Sequence, residues 1–510
     1  MNASVFIVNF VVITEAHVSK KLETCVKRKF MQRETVFVTG VTGSMGGAFM
    51  RIYAADRQKY PYKLKVLARD TAKSRRILRP YRNDPDIEII YGDLRDFEVV
   101  ARGVDGAGYV IHVGGMVSPS ADYYPEETMD VNVNAMRNIV EAVKRQPDPD
   151  RVHVVYIGSV SQLGMRHVPH HWGRSGDPVW GAEFDWYAQS KIEAERVLAE
   201  SGLKHWASLR QTGILAPVIL KKGSDPITFH VPLRGVLEWV TEEDSGRLVA
   251  NIPVAGLPEK FWKNFYNIGG GESYRLTNYE FMCKLLGALH CPIPEKAFDA
   301  RWFATSNFHG QWYEDSDLLD DYLHFRSGES ADEYFKSLAE SLPWFYSLAS
   351  VVPAGVIRAA MRFVAGRKPF GPFYWKKIND GRRINAYFGG MENWKSLRKW
   401  EDIPREELEN FTQPPVRLDH GYDESKDESL LDIADMRGAA EFRGGKCLSG
   451  SMTPGDLDTP LEWECHAGHV FRATPRIVLK GGHWCPDCMG HRWEYEEEAH
   501  HNPFFAQIWK

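Results

Sequence analysis

From residue 35 to about residue 217, short runs of β-branched and other apolar residues alternate with longer stretches whose apolar positions repeat at helical spacing. Such alternation is typical of parallel strands joined by helices that cover both faces of one sheet. The pattern therefore predicts an α/β fold with a doubly wound parallel sheet. Seven strands are predicted, over residues 35–39, 63–68, 87–90, 109–113, 153–158, 206–210 and 265–268. Insertions after the sixth strand, such as 221–243, are expected at the carboxyl ends of the strands, where such folds bind ligands.

Residues 290–418 are rich in aromatic side chains and have a mainly helical pattern. Within them, the stretch 342–366 contains only Arg358 and Arg362 as charged residues, and Pro353 interrupts it too early to leave a membrane span. A lid, a buried helix and a membrane-facing surface are the three alternatives. Because apolar helical faces usually bury within the same protein, we predict core or lid packing.

The composition limits the class of protein. At about 150 residues per domain, 510 residues indicate two to four domains. The 63 Lys and Arg against 68 Asp and Glu provide no basic field for a nucleic acid, and seven cysteines are too few for a disulfide framework, which favours a reducing, cytoplasmic location. The apolar run 6–13 is too short to span a bilayer and lacks the basic residues of a targeting signal. The predicted boundaries are 1–34 for an N-terminal extension, 35–289 for the sheet domain, 290–418 for the helical extension, 419–439 for a charged linker and 440–510 for a small cysteine-bearing domain.

A glycine-rich loop follows the first predicted strand and begins a helical pattern. In this context Gly40 permits a tight turn, Gly43 lets bare backbone approach a diphosphate, and Gly46 lets the helix pack closely on the strand. The alternative is a simple glycine-rich turn, but the strand before it and the helix after it favour a Rossmann-type dinucleotide site. The predicted contacts with the cofactor here are Gly40, Gly43, Ser44, Met45 and Gly46.

The ends of the second and third strands bear on cofactor choice. Arg69 follows the second strand where an acid would bind the ribose hydroxyls of NAD, so we predict NADP, with NAD possible. A solvated surface arginine is the alternative. Asp93, followed by Leu94, ends the third strand and is predicted to accept from the adenine amino group, or else to be a turn residue.

Tyr187 and Lys191 are four residues apart in a stretch of strong helical character, which places both side chains on one helix face. A nearby ammonium favours ionisation of a phenol, whose ordinary pKa is about 10. Ser159, at the end of the fifth strand, is predicted to polarise the same substrate oxygen. We therefore expect Tyr187 to exchange a proton with a substrate oxygen while hydride moves to or from nicotinamide.

These motifs resemble the extended short-chain dehydrogenase/reductase superfamily, also called the NAD-dependent epimerase/dehydratase group, over about residues 35–289. The resemblance implies that Tyr187 is the acid/base, that Lys191 both tunes its pKa and holds the nicotinamide ribose, and that Ser159 is the catalytic hydroxyl, with Ser161 as second choice. The motifs that carry the resemblance are the loop at Gly40, Gly43 and Gly46, then Gly92-Asp93-Leu94, Val131-Asn132-Val133-Asn134, and Tyr187 with Lys191. After the fourth strand, Gly114 and Gly115 stand where the family usually has two alanines, and we still expect Val113, Gly114 and Gly115 to form a wall of the cofactor site.

Two departures from that family bear on the substrate. Residues 209–215 replace the Pro-Gly-Asn type of sequence common in nucleotide-sugar enzymes, and 159–161 lack the acidic pair of the sugar dehydratases. The favoured function is therefore an NAD(P)-dependent oxidoreductase acting on a hydroxyl or ketone of a small apolar molecule. The alternatives are a nucleotide-sugar epimerase with tightly bound NAD and a cofactor-sensing scaffold; a homodimer is compatible with all three.

The C-terminal cysteines have the spacing of metal knuckles. Cys465-x3-His469 and Cys485-x2-Cys488 each offer two ligands, and Cys447 is an alternative ligand that could replace His469. The tail resembles small zinc-ribbon domains, which implies one closed, structural zinc; surface thiols without metal are the alternative. Since the tail is acidic, we expect a protein contact or stabilisation of the C-terminus rather than nucleic-acid binding.

Overall fold

A computed structural model of the chain describes residues 33–217, 225–409, 414–490 and 492–509. The predicted N-terminal extension lies almost entirely outside these residues, as does the beginning of the insertion predicted at 221–243.

The strands are β1 (Thr35–Thr39), β2 (Lys63–Ala68), β3 (Ile87–Tyr91), β4 (Tyr109–His112), β5 (His153–Ser159), β6 (Trp172–Gly173), β7 (His205–Gln211), β8 (Ile214–Leu215), β9 (Val236–Glu238), β10 (Val240–Thr241), β11 (Asn264–Ile268), β12 (Arg275–Thr277), β13 (Trp312–Tyr313), β14 (Lys446–Cys447), β15 (Leu461–Glu464) and β16 (Val470–Ala473).

The helices are α1 (Ser44–Ala55), α2 (Ala72–Leu78), α3 (Phe97–Val104), α4 (Ser120–Tyr123), α5 (Pro125–Lys144), α6 (Trp186–Ala199), α7 (Glu242–Asn251), α8 (Asn278–Ala288), α9 (Pro294–Ala297), α10 (Ser316–Leu323), α11 (Ala331–Ser341), α12 (Ala354–Ala365), α13 (Pro372–Ile378), α14 (Gly381–Phe388), α15 (Met391–Ser396), α16 (Ile433–Phe442), α17 (Pro475–Leu479), α18 (Tyr495–His501) and α19 (Pro503–Ala506).

Seven of the strands form one sheet in the order β3-β2-β1-β4-β5-β7-β11, and every neighbouring pair is parallel. These are the seven predicted strands to within one residue at each end, so the doubly wound, Rossmann-like sheet is confirmed. Thr39 pairs with both Leu67 and His112, which brings the ends of three strands to one edge. The strand order reverses between β1 and β4, and this reversal opens a crevice at that edge.

Alternation along β1 explains the two cores of the sheet domain. Val36 and Val38 face one side, among α1 and α7, whereas Phe37 faces the other side, among α3, α5 and α6. All three side chains are fully buried. Because both faces of a parallel sheet are covered by helices, its strands are apolar at successive positions rather than at every second one.

The region after the sheet domain is helical, as expected, but its most apolar stretch is exposed. Between residues 342 and 363, all of which are described, no residue is buried. Trp344 and Val351 are each 77% exposed and Phe363 is 75% exposed. The interpretation of this stretch as core is therefore wrong for these side chains. No single helix in the described part of the chain is long and apolar enough to cross a bilayer, whereas the turn Trp344–Val351 and α12 satisfy that test together with a bend of 104°.

The C-terminal residues pack directly on the sheet domain. Strands β14, β15 and β16 form a small antiparallel sheet, and its Trp463 is buried in the same core as Phe37. The predicted charged linker at 419–439 is in part a packed element, because α16 begins within it and both Leu431 and Met436 are buried in that core.

Candidate active site and metal-ligand cluster

The glycine loop between β1 and α1 has the geometry that the sequence predicts. Gly40 has a φ of +76°, and a Cβ there would lie 2.6 Å from the backbone nitrogen of Gly114. A Cβ on Gly46 would lie 2.4 Å from the Gly40 carbonyl oxygen. A Cβ on Gly43, at the first turn of α1, would meet no protein atom closer than 3.5 Å. Gly40 and Gly46 are thus required by internal packing, whereas Gly43 is not, and the contact of Gly43 with a diphosphate stays a prediction.

The two residues after Gly43, Ser44 and Met45, differ in how deeply they are buried. Ser44 is half-buried at the start of α1, and the side chain of Met45 is only 4% exposed and belongs to the core on that face. Since the thioether is committed to the core, any contact of Met45 with a cofactor is limited to its backbone N–H.

The opposite wall of the crevice is tied to β1 by a hydroxyl. Thr39 Oγ1 accepts from the backbone N–H of Gly114 at 3.0 Å and lies 2.8 Å from His112 Nδ1. Burial, followed by the nearby charge of Lys191, lowers the pKa of His112 to about 3. His112 is therefore a neutral imidazole that is hydrogen bonded to Thr39 and lies near the charge of Lys191. The sequence prediction assigned no role to Thr39, which precedes Gly40, or to His112, which lies two residues before Gly114.

The rest of this wall is held by an amide. Asn132 Oδ1 accepts from the backbone N–H of Met116 at 2.7 Å, and its Nδ2 donates to Ser190 Oγ at 2.8 Å. A Cβ on Gly115 would lie 2.7 Å from Asn132 Oδ1, so only glycine fits there. The predicted wall residues, half-buried Val113 with Gly114 and Gly115, are thereby fixed against α6, a role of Asn132 that the sequence prediction did not assign.

Ser159, Ser161 and Tyr187 form a line of hydroxyls at the end of β5. Ser159 lies close enough to Tyr187 to lower the pKa of the phenol. Ser161 Oγ donates to Ser159 Oγ at 2.9 Å, and the Ser159 backbone N–H donates to Gln162 Oε1 at 2.7 Å. The hydroxyl that acts on the phenol is therefore that of Ser159, the first choice from the sequence, with Ser161 behind it.

Lys191 lies one turn along α6 from Tyr187, as the spacing predicts. Its Nζ donates to the carbonyl oxygen of Ile157 at 2.9 Å and is 5.8 Å from the centroid of the Tyr187 ring. Burial lowers the pKa of Lys191 to about 7. Burial also raises the pKa of Tyr187 to about 12, against the lowering effect of its hydrogen bond with Ser159. In this structure, burial thus outweighs the expected acidification of the phenol by Lys191.

Two carboxyl groups beside Tyr187 were not expected from the sequence. Asp122 lies close to Ser118 and to the backbone of Tyr187, and burial together with the charge of Asp185 raises its pKa to about 7. Asp185 Oδ1 caps α6 by accepting from the Ala188 backbone N–H at 2.8 Å. Both line a pocket whose other walls include Phe184, Phe370, Trp375 and Tyr387. Tyr187 is not among the residues that line this pocket, although Asp122 and Asp185 lie close enough to the phenol to raise its pKa.

The residues predicted to choose the cofactor lie on the rim. Arg69 is exposed. The next residue, Asp70, is held by Arg75 through contacts of 2.7 and 2.9 Å. Asp93 binds the Arg95 side chain at 2.7 Å and accepts from its backbone N–H at 2.9 Å, and the hydrogen bond from that side chain lowers the pKa of Asp93 despite partial burial. These contacts favour the alternative interpretation of Asp93 as a turn residue, and its pairing with adenine stays a prediction.

The C-terminal knuckles converge on one point. The ligand atoms of Cys465, His469, Cys485 and Cys488 all lie within 4.8 Å of one another. Cys465 Sγ is 3.4 Å from His469 Nδ1 and 3.5 Å from Cys488 Sγ. Tetrahedral zinc, with Zn–S distances of about 2.3 Å, places its ligands roughly 3.5–3.8 Å apart. Cys447 does not belong to this group, so the predicted set containing His469 fits and the alternative set containing Cys447 does not.

A buried ion pair joins the C-terminal domain that carries the four ligand residues, which we call the module, to α6, the helix of Tyr187 and Lys191. Glu195, on α6, binds Arg210 of β7 at 2.7 Å and His483 of the module at 2.8 Å. Although burial opposes it, Arg210 and His483 keep the pKa of Glu195 well below its usual range. Since removing one partner of such a group leaves a buried charge uncompensated, the module and the sheet domain stabilise each other.

The family comparison matches residues within the sheet domain. Residues 36–212 match the model of the NAD dependent epimerase/dehydratase family. UDP-glucose 4-epimerase of Rickettsia felis is 28% identical over 111 residues, which are 21% of this chain and 32% of the relative. The enzyme of the same name from Rickettsia bellii is 29% identical over the same length. The chain therefore spans about a third of the length of these relatives.

Among solved structures, dTDP-glucose 4,6-dehydratase from Streptomyces venezuelae with NAD and TYD bound gives a TM-score of 0.47 at 22% identity, covering 60% of this chain and 95% of that one. UDP-glucose 4-epimerase from Bifidobacterium longum in complex with NAD+ and UDP gives 0.46 at 16% identity, covering 62% and 99%. Residues 36–212, which contain the glycine loop, Ser159, Tyr187 and Lys191, are thus similar in sequence to the NAD dependent epimerase/dehydratase family.

Proposed function

We propose that the protein is an NAD(P)-dependent oxidoreductase that acts on a hydroxyl or ketone of a small apolar molecule. The observation that carries this proposal is the convergence at the end of β5, where Lys191 Nζ donates to the carbonyl oxygen of Ile157 and lies 5.8 Å from the centroid of the Tyr187 ring, close to Ser159. The glycine loop follows β1 at the same edge of the sheet. A cofactor laid on the loop would thus end next to the phenol.

In this proposal the bound nicotinamide accepts or donates the hydride. The phenol of Tyr187 gives a proton to the substrate oxygen in reduction and receives it in oxidation, and the nearby Ser159 lowers the pKa of that phenol. Lys191 is close enough to Tyr187 to stabilise negative charge on it, since its Nζ lies 5.8 Å from the ring centroid.

NADP is the preferred cofactor in this proposal. Arg69 is exposed at the end of β2, where a 2′-phosphate would lie. The carboxylate of Asp70 is held by Arg75. An acid already paired in this way is a weak partner for the ribose hydroxyls of NAD, and this pairing supports the phosphate-binding alternative.

A nucleotide-sugar epimerase is the second candidate, and the match of residues 36–212 to the epimerase/dehydratase model favours it. The pocket that contains Asp122 and Asp185 supports an apolar substrate instead, because aromatic rings such as those of Phe184, Phe370 and Trp375 form much of its wall. The retained Ser159 and Tyr187 pair makes a cofactor-sensing scaffold the least supported alternative.

Cofactor consumption separates these candidates. Purified protein is mixed with NADPH or NADH and a panel of apolar ketones, with the corresponding alcohols and oxidised cofactors in parallel. An oxidoreductase changes the absorbance of the reduced cofactor in proportion to product. An epimerase retains its cofactor, shows no net change and interconverts UDP-sugars, which would contradict the proposal.

We also propose that Cys465, His469, Cys485 and Cys488 hold one structural zinc. Zinc supplies the attraction that keeps three thiolates and an imidazole together, and a set of four protein ligands leaves no open position for catalysis. Metal analysis should give about one zinc per chain. Cys485→Ser should lose the metal and lower the melting temperature. Cys447→Ser changes a cysteine outside the group and should retain the metal and the native melting temperature.

A further inference from the structure

A segment of the helical extension exposes more large apolar side chains than any stretch of similar length in the described part of the sheet domain. From residue 341 to residue 363 no described residue is buried. Trp344 is 77% exposed and Phe363 is 75% exposed. The other exposed apolar side chains here are those of Phe345, Leu348, Val351 and Val356. A group of this size on the surface of a protein usually marks a contact with something else.

The backbone presents these side chains outward in two short helical pieces. The turn Trp344–Val351 and α12 meet at a bend of 104°. On α12, Val356, Ala360 and Phe363 lie on one exposed face, while Ile357 and Met361 pack against the body of the protein. The helix is therefore apolar on both faces, and only one of these faces is covered.

The charged residues within this stretch of the chain have one sign, although its Arg358 pairs with Asp299 from an earlier part of the chain at 3.3 Å. From Ser341 to Asn379 the chain has no Asp or Glu and six basic residues, although the whole chain has a net charge of -5. Those basic residues are Arg358, Arg362, Arg367, Lys368, Lys376 and Lys377. All but the half-buried Arg358 are exposed. We call residues 341–379 the basic apolar segment.

We propose that the basic apolar segment binds the surface of a bilayer that contains anionic phospholipid. Apolar side chains with an exposed tryptophan would enter the boundary between headgroups and acyl chains, and the surrounding cations would pair with lipid phosphates and carboxylates. Two bent pieces of eight and twelve residues lie in such a boundary without crossing it. A second copy of the chain is disfavoured as the partner, because a symmetric contact would bring two sets of cations together.

The same segment borders the pocket beside Tyr187. Phe370 and Trp375 line that pocket, and the ring of Phe370 lies edge to face with Tyr123 at 4.4 Å. Binding at the bilayer would thus place the pocket close to the lipid phase, where apolar molecules concentrate. The binding itself does not depend on the proposed function.

The test is co-sedimentation of the full chain with vesicles of phosphatidylcholine alone and of phosphatidylcholine with phosphatidylserine. We expect binding to the anionic vesicles that weakens as salt is raised. Trp344→Ser with Phe363→Ser should lower the partition coefficient at least about tenfold. Lys376→Gln with Lys377→Gln should lower it about fivefold for each lysine removed.

Matched controls test whether binding requires this segment or only exposed apolar and basic side chains anywhere on the surface. Leu430→Ser with Val470→Ser removes apolar side chains that are 62% and 55% exposed elsewhere, and Lys144→Gln with Lys204→Gln removes two distant exposed cations. These controls should bind like the native chain, and melting temperatures should show that all variants fold. Absence of binding to anionic vesicles would overturn the proposal. Binding by the Trp344 and Phe363 variant equal to that of the native chain would overturn the proposal too. So would analytical ultracentrifugation without vesicles showing that the only effect of this variant is to dissociate a dimer.

Discussion

The sheet domain and the basic apolar segment have apolar residues in comparable abundance and put them in opposite places. Val36, Phe37 and Val38 of β1 are fully buried, because helices cover both faces of the sheet. Trp344 and Phe363 are about three-quarters exposed, and on α12 the neighbouring elements cover only the face opposite Phe363. An apolar pattern thus indicates that side chains favour leaving water, but it does not predict what they pack against.

The two regions also differ in how they affect their polar and charged groups. The buried region changes the properties of polar groups: burial raises the pKa of Tyr187 to about 12 and lowers that of Lys191 to about 7. The exposed segment keeps its cations in water, where they act on a partner through their charge alone. Reaction chemistry is therefore expected from the first region and surface binding from the second.

Tyr187→Phe should produce the largest effect. Removing the hydroxyl that exchanges a proton should lower kcat about 10²–10⁴-fold, the usual contribution of a general acid/base. Cofactor affinity, measured by fluorescence titration, should stay nearly unchanged, because the ring remains. Tyr346→Phe, a tyrosine in the exposed segment, is the matched control and should keep full activity. Retention of more than a few per cent of the activity by Tyr187→Phe would refute the assigned role.

The same substitution in the two regions should affect stability unequally. Phe49→Ala, at a fully buried position, should lower the free energy of unfolding by about 3–5 kcal/mol, because it leaves a cavity in the core. Phe363→Ala should change it by less than about 0.5 kcal/mol, because the ring is 75% exposed. Urea denaturation of both variants measures the difference. A loss of several kcal/mol for Phe363→Ala would mean that the ring is covered in solution.

The buried Lys191 should make stability depend on pH. Its folded pKa of about 7 lies below the unfolded value of about 10.4, so the unfolded chain binds more protons between these values. The free energy of unfolding should therefore rise with pH in this window, by about 1–2 kcal/mol from pH 7 to pH 9. Lys191→Met should remove that part of the rise. Identical pH dependence of the variant and the native chain in urea titrations would show that the ammonium is not desolvated.

Arg69→Ala should have the smallest effect. Losing an exposed cation that pairs with a 2′-phosphate should weaken NADP binding about tenfold and leave NAD binding nearly unchanged. Equilibrium titration with both cofactors measures the ratio. Arg76→Ala, an exposed arginine on the neighbouring helix α2, serves as the control. Equal weakening of both cofactors by Arg69→Ala would remove the pairing with phosphate.

The predictable part of the site was the part encoded locally. The glycine at 40 is needed by a positive φ inside one loop, and four residues on one helix bring Tyr187 and Lys191 to the same face, so spacing alone was sufficient. Asp122 could not be found in this way, because its contact with Tyr187 joins distant parts of the chain. The same holds for His483, which reaches Glu195 across 288 residues.

By itself, the amino-acid sequence determined the seven parallel strands, the glycine loop, the helix face of Tyr187 and the paired knuckles at Cys465 and Cys485, because each depends on the period or spacing of nearby residues. Tertiary structure decided which ligand set converges, which hydroxyl faces the phenol and which apolar residues stay in water. These outcomes depend on distances between segments far apart in the chain, and on how completely each is covered by the others.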